Sequence, residues 1–289
     1  MAITEHKQTP RILVAGCGKL GGAIAQMLSR QAEVFGIRRN PVRIPRGVHP
    51  LGADLMDRKQ IESVLPGDLD VVIYCLTPSS YDEEGYRNAY VGGLENLLAT
   101  LGTRALKRLF FISSSSVYAQ DDDSRVDESS PTEPDRFSGQ MVLEGEQTAL
   151  NSSHPATAIR FSGIYGPSRQ QFLDAVINGR MAPSAPAPFS NRIHEEDAVA
   201  AVCHLVNQAL EGKSLDPCYL ASDCEPVRLD EVVAWVREQL PCAEPAPDAR
   251  RGGRAGSKRC SNKHLLASGF QFRYPDFRAG YRELIARRK

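Results

Sequence analysis

The stretch Arg11-Ile-Leu-Val-Ala-Gly-Cys-Gly-Lys-Leu-Gly-Gly22 constrains the fold of this chain more than any other. An apolar run breaks into Gly16, Gly18 and Gly21 and then resumes at helical spacing from Ala23 to Arg30. Strand, glycine turn and helix in that order read as a dinucleotide-binding turn. Such a turn must bend sharply, let its backbone approach a pyrophosphate and pack the helix closely on the strand. Gly16, Gly18 and Gly21 each meet one of those demands, and Lys19 and Leu20, between the glycines, are counted with them as cofactor-binding residues. Glycine clusters also occur in ordinary turns, and it is the flanking elements that give this one its meaning. A second strand, Glu33 to Ile37, follows at the spacing at which the ribose is read.

What ends that second strand bears on the nucleotide. An NAD site places Asp or Glu there to accept hydrogen bonds from the ribose hydroxyls, whereas this chain has Arg38-Arg39. Two guanidiniums offer permanently charged, bidentate donors to a 2′-phosphate that a carboxylate would repel. NADP(H) is therefore favoured over NAD(H), the alternative being a solvated turn ahead of Asn40-Pro41.

A length of 289 residues suits one large α/β domain with an appended lobe. The 35 Lys and Arg residues balance 35 Asp and Glu, which removes the electrostatic case for nucleic-acid binding. Arg250-Arg251-Gly-Gly-Arg254 and Arg287-Arg288-Lys289 read as solvated loop and tail. Met1 to Pro10 lacks the apolar core of a secretory signal, and no segment has the length and apolarity to span a membrane. The seven cysteines show no CxxC pair or zinc spacing, so the sequence suggests reduced thiols, a cytoplasmic location and no metal site. Cys17, inside the glycine turn, reads as a small packing residue.

Further strands alternate with helices. Val48–Gly52, Asp70–Leu76, Leu109–Ile112 and Thr157–Phe161 read as strands. Tyr86–Leu101, Gly139–Leu150, Gln170–Asn178 and Asp230–Leu240 read as helices, and another opens at His194. The acidic segment Asp121–Asp135 reads as a surface loop, Ala182–Pro188 as a proline-rich loop, and Pro241–Ser257 as a mobile connection. The succession predicts a Rossmann-type doubly wound parallel sheet with right-handed crossovers and a smaller C-terminal substrate lobe. The nucleotide domain would occupy 11–165, with 192–222 returning to it, and the lobe 166–191 and 223–289. Ligands belong outside the carboxyl ends of such strands, which here carry Gly16 to Gly21, Arg38, Asp54, Thr77, Ser113 to Ser116 and Ser162-Gly163.

With these features the chain resembles the extended short-chain dehydrogenase/reductases, in particular their NAD-dependent epimerase/dehydratase branch, over nearly its whole length. The resemblance rests on the glycine turn, Asp54-Leu55, Ser113-Ser-Ser-Ser-Val-Tyr118, Arg160-Phe-Ser-Gly-Ile-Tyr-Gly-Pro167 and Arg192-Ile-His-Glu-Glu-Asp197. It implies that Asp54 and Leu55 border the adenine and Thr77 the ribose, that Ser162, Gly163 and Ile164 border the nicotinamide, and that Ser114 orients the substrate. It also implies a small-molecule substrate and a homodimer through the helices Tyr86–Leu101 and Gly139–Leu150. The turn departs from the family's usual GxxGxxG, because Ala15 takes the first position and the pattern becomes GxGxxG.

A larger departure concerns the family's catalytic Tyr-x-x-x-Lys. There the phenol exchanges a proton with the substrate, while the lysine binds the ribose and lowers the phenol's pKa. This chain reads Phe137-Ser-Gly-Gln-Met141 at that place. No lysine lies between Lys107 and Lys213, and the only tyrosines in that interval are Tyr118 and Tyr165, so realignment restores nothing. Two readings stay open. One is an atypical NADP(H)-dependent oxidoreductase or epimerase that moves its proton through Tyr118, Tyr165, Ser114 or His194. The other is a non-catalytic NADP(H)-binding sensor or regulatory protein. His194 and Asp197 equally suit a structural role at the start of their helix, and either tyrosine suits a buried ring with its hydroxyl hydrogen-bonded.

Overall fold

The computed structural model describes residues 9–252 and 256–288. The expectations placed on Met1–Gln8, Arg254 and Lys289 fall outside the described residues. Among those described, seven strands form the central sheet: β1 (Arg11–Ala15), β2 (Glu33–Arg38), β3 (His49–Gly52), β4 (Val71–Tyr74), β5 (Arg108–Ser114), β6 (Ala156–Phe161) and β7 (Cys218–Ala221). Their spatial order is β7-β6-β5-β4-β1-β2-β3, the parallel, doubly wound order that the alternation of strands and helices predicts. β1 pairs in parallel with β2 on one side and β4 on the other, so the winding reverses beside the glycine turn. Ile12, Leu13, Val14 and all four residues of β4 are buried, as continuous apolar strands in a doubly covered sheet must be.

The chain forms two compact units. Unit 1 comprises the described part of Met1–Ile112 with Glu144–Ala158 and Val202–Pro217. Its core gathers Leu13, Ile37, Leu55, Val72, Leu97 and Phe111. The helix expected from Ala23 starts earlier and spans Lys19–Leu28, because Gly18 already serves as its N-cap. The helix expected from Tyr86 starts at Glu83, where Asp82 caps it through the Gly85 amide. It also contains a π turn, Asn88–Gly92, before continuing as Gly93–Leu101. Within that turn the Ala89 carbonyl accepts a 2.6 Å hydrogen bond from the Tyr74 phenol, a side-chain contact of the kind that accompanies such irregularities.

Unit 2 comprises Ser113–Leu143, Ile159–Ala201 and the described part of Cys218–Lys289. Its core is built on Tyr165, Val176, Val232, Phe277 and Tyr281, with Trp235 set edge-on to Phe277. Two expectations are corrected here. The acidic segment is not loop throughout, since Ser124–Val126 forms a strand paired in parallel with Lys258–Cys260. Asp123 beside it accepts a 2.7 Å ion pair from Arg228, and its carbonyl accepts from Arg259. Nor is the described part of Pro241–Ser257 a free connection. Ala243, Ala246 and Arg250 donate backbone hydrogen bonds to Ile177, Gly179 and Arg180, tying that segment along residues 177–182.

Candidate functional site

In unit 1 the three glycines of the turn perform separate tasks. Gly16 lies at φ +96°, and a Cβ there would meet the Cys75 carbonyl oxygen at 2.5 Å, so the sharp bend beside β4 admits glycine alone. Gly21 lets the helix Lys19–Leu28 approach, since a Cβ on it would stand 2.4 Å from the Gly16 oxygen. Gly18 differs: a Cβ there would meet nothing within 4 Å, so its face opens onto free space. No side chain caps the helix that begins next, and no acidic residue stands in its first turn. The positive end of its dipole, at the Gly18 end, favours an anion there.

A cavity of about 530 Å³ opens against this turn. Gly16, Gly18, Arg38, Arg39, Asp54, Leu55 and Thr77, all expected from the sequence, line it. Lys19, Leu20 and Gly21 form the first helical turn behind it rather than its wall. Arg38 donates to the Cys17 carbonyl at 3.3 Å. The Asp54 carboxylate accepts from the Met56 amide at 3.1 Å and so closes its own turn. Arg43 also lines the cavity, held by the short helical turn Pro41–Arg43 that Asn40 caps. The sequence reading missed it, although a basic residue five positions beyond Arg38 was a readable signal. The cavity wall therefore carries three arginines and one aspartate. Cys17 is fully buried, with burial pushing its thiol up to about 11 against the opposing pull of Arg38, so it packs as expected.

In unit 2 the candidate proton carriers separate clearly. The Ser114 hydroxyl accepts from the Ser116 amide and caps the turn Ser115–Val117. The Tyr118 phenol is used on both sides, donating to the Asp127 carbonyl at 2.8 Å and accepting from Arg160 at 2.7 Å. Tyr165 stacks on Tyr281 with ring centroids 4.6 Å apart, and its Oη is buried with no hydrogen-bond partner among the described residues. Burial raises the pKa of both phenols. His194 ends a strand, Arg192–His194, paired in parallel with Gly163–Tyr165. Its Nδ1 accepts from the Glu196 amide, its ring packs 3.9 Å from that of Tyr274, and burial holds it below the usual histidine range. Asp197 accepts from the amides of Arg273 and Tyr274, fastening that segment rather than facing a cavity. Phe137 opens the helix Phe137–Leu150 and is 39% exposed, whereas Met141 is buried at 5%.

A cavity of about 690 Å³ lies within unit 2. Gly163, Ile164 and Tyr165 line it, whereas Ser162 is buried with its Oγ unpartnered among the described residues. Tyr118, Ser114 and His194 do not line it. Sequence reasoning did not anticipate its basic wall, which Arg192 and Lys258 help to form from segments 66 residues apart.

The profile of the NAD dependent epimerase/dehydratase family matches residues 12–228. Short-chain dehydrogenase/reductase family 42E member 1 of Danio rerio is 25% identical over 254 residues, covering 77% of this chain. This chain spans 66% of that relative's length. A solved structure from Methylobacillus flagellatus, proposed to be an NAD-dependent epimerase/dehydratase, is 34% identical with a TM-score of 0.83, covering 97% of this chain and 99% of that one. UDP-glucose 4-epimerase of Thermus thermophilus, solved with NAD, shares the fold with a TM-score of 0.78 at 20% identity, covering 96% and 98% of the two chains. No described helix is long and apolar enough to cross a membrane.

Proposed function

The chain belongs to the NAD-dependent epimerase/dehydratase family, and from that premise we propose that it is an NADP(H)-dependent oxidoreductase of atypical catalytic make-up, acting on a small carbonyl or hydroxyl compound. The observation that carries the reading is the open face of Gly18 in a cavity lined by Arg38, Arg39 and Arg43. Gly16 and Gly18 would seat the pyrophosphate at the helix N-terminus, Asp54 and Leu55 the adenine, and the arginines the 2′-phosphate. When bound, NADP(H) supplies or accepts the hydride.

This chain's own residues must then move the proton. Phe137 bears no exchangeable proton and Met141 bears no charge, so the conventional pair is absent. Tyr118 is committed to Arg160 and Asp127. Tyr165, whose residue lines the unit 2 cavity and whose buried oxygen has no hydrogen-bond partner among the described residues, is the best remaining donor. Its pKa moves in the direction opposite to that produced by the family's lysine, because burial dominates. A phenol held that firmly is a weak acid, so turnover should be slow. The loss of both conventional groups favours the second reading, a nucleotide-binding protein without turnover. NADPH consumption over a panel of carbonyl compounds separates the two: slow oxidation abolished by Tyr165→Phe supports the enzyme, and none across the panel supports the sensor.

A further inference from the structure

Tyr165, Arg192 and Asp223 lie within electrostatic reach of one another in unit 2, and each keeps a buried polar atom that has no hydrogen-bond partner among the described residues. These atoms are Tyr165 Oη, Arg192 Nη1 and Asp223 Oδ2. The backbone brings the residues together. Tyr165 ends the strand Gly163–Tyr165, Arg192 begins its parallel partner Arg192–His194, and the Arg192 carbonyl accepts a 2.7 Å hydrogen bond from the Asp223 amide. Arg192 is 5% exposed and Asp223 is 1% exposed. The Arg192 Nη2 donates to the Ser190 hydroxyl at 2.6 Å, and the guanidinium lies over Phe172 at 5.3 Å and Tyr281 at 5.9 Å, so the side chain is held while Nη1 is not engaged. Asp223 is divided in the same way, because its Oδ1 accepts from the Glu225 amide at 3.4 Å and Oδ2 is left over.

The helix Phe277–Ala286 lies against the phenol. A Cβ on Gly280 would stand 2.0 Å from Tyr165 Oη, so the helix backbone rests on the hydroxyl and shuts bulk water from it. Asp276 caps that helix one turn before Gly280, and it is among the charges that the Asp223 carboxyl senses. Phenol and carboxyl therefore both sit beside the start of this helix. They make no direct hydrogen bond to each other. Orphaned polar groups gathered in a buried site are the setting in which proteins hold an internal water, which satisfies two to four of them at once.

We infer that Asp223 is the proton reserve of Tyr165, passing a proton to the phenol through a buried water that Arg192 Nη1 also holds, as the phenol gives its own proton to the substrate's oxygen. The inference rests on the proposed function, in which Tyr165 is the donor, and it answers the weakness of that donor. A buried phenol is a poor acid because its phenolate would stand alone away from water. The relay removes that phenolate. When hydride reaches a carbonyl carbon, the C=O electron pair moves to the oxygen, which takes the Tyr165 proton. The phenol oxygen takes one from the water, and the water takes one from Asp223 Oδ2. Each O–H bond that forms is matched by one that breaks. The negative charge ends on the Asp223 carboxylate within reach of the Arg192 guanidinium, and solvent restores its proton between turnovers. A carboxylic acid is the stronger acid by roughly six powers of ten before burial acts on either group, so the transfer runs downhill. Burial, aided by Asp276 and opposed by Arg192, keeps that proton on Asp223 beforehand.

The test is a proton inventory on the full chain: single-turnover NADPH oxidation with a carbonyl compound that it reduces, followed as deuterium oxide replaces water. The wild type should give a curved plot, because more than one proton moves in the slow step. Asp223→Asn keeps the shape of the side chain without its acidic proton, so the rate should fall about tenfold or more and the plot should become straight. Asp223→Glu restores a carboxyl and should recover part of both. Infrared difference spectra between the cofactor-free wild type and Asp223→Asn should show a protonated carboxyl at neutral pH, a readout that needs no turnover. A straight plot in the wild type overturns the inference, whether or not the variants fold. So does an unchanged rate in Asp223→Asn, or the absence of the carboxyl band. Any of these with turnover intact removes the relay and leaves the proposed function standing, whereas no turnover across the carbonyl panel removes both.

Discussion

Arg160 donates a hydrogen bond to the phenol oxygen of Tyr118 at 2.7 Å, with its guanidinium 5.1 Å from the centre of the tyrosine ring. The phenol O–H in turn donates a hydrogen bond to the Asp127 carbonyl, so Tyr118 is a structural strut. Tyr118→Phe removes an acceptor from a buried cation and a donor from a carbonyl. It should cost about 1–3 kcal/mol in urea unfolding. NADPH affinity should not change. An unaltered unfolding midpoint would show that the strut carries no weight.

Tyr165 gives the opposite pattern. Its oxygen has no hydrogen-bond partner among the described residues, so Tyr165→Phe should change stability by no more than about 0.5 kcal/mol. Turnover should fall by roughly 10²–10⁴-fold, the usual contribution of a positioned proton donor. Because burial raises its pKa, the phenol stays protonated through the neutral range. The rate of carbonyl reduction should therefore be flat between about pH 6 and 9. A decline across that interval would assign the donor to a more acidic group.

Grafting the conventional pair separates its two members. Phe137 is 39% exposed, so Phe137→Tyr should be accommodated with little change in stability. Met141 is 5% exposed, and Met141→Lys must bury an ammonium, so the double variant should unfold at lower temperature. Where a substrate fits, only the double variant should gain rate, by up to roughly 10²–10⁴-fold. A gain from Phe137→Tyr alone would mean that some other group already tunes a phenol at that place.

The sheet and the residues that line the cavity at the glycine turn were legible in the sequence because their signals are local. Glycines, apolar strand and helix lie within a dozen residues of one another, and Arg38 and Arg39 follow at a fixed spacing. The role of Tyr118 was not legible, since its partners Arg160 and Asp127 are distant in sequence or reached through a backbone carbonyl. The strand Ser124–Val126 escaped for the same reason: its composition is that of a turn, and its partner strand begins at Lys258. The basic wall of the unit 2 cavity is assembled from isolated arginines that carry no motif.

Asp223 supplies a prediction whose sign follows from its burial. Its carboxyl is raised well above the ordinary aspartate value, chiefly by desolvation and despite Arg192. The folded state thus keeps a proton that the unfolded chain gives up near pH 4. Stability from this group is full below that pH and is lost as pH rises toward the folded value. Asp223→Asn should therefore stabilise the protein, with a gain that grows from about pH 4 to pH 8, each tenfold of proton affinity being worth about 1.4 kcal/mol. Thermal unfolding across that range checks it, and a loss of stability at pH 8 would mean that Arg192 holds the carboxylate ionised.

The most direct test of the central claim is a parallel titration of NADPH and NADH into the wild-type chain, into Gly18→Val and into the double variant Arg38→Ala with Arg39→Ala. A side chain on Gly18 meets no protein atom within 4 Å of its Cβ, so the variant should fold normally and fill only the space assigned to the pyrophosphate. The wild type should bind NADPH about tenfold or more tightly than NADH. The arginine variant should level the two, and Gly18→Val should lose both while its melting temperature stands. Undiminished NADPH affinity in a folded Gly18→Val protein would contradict the assignment of this turn to the nucleotide.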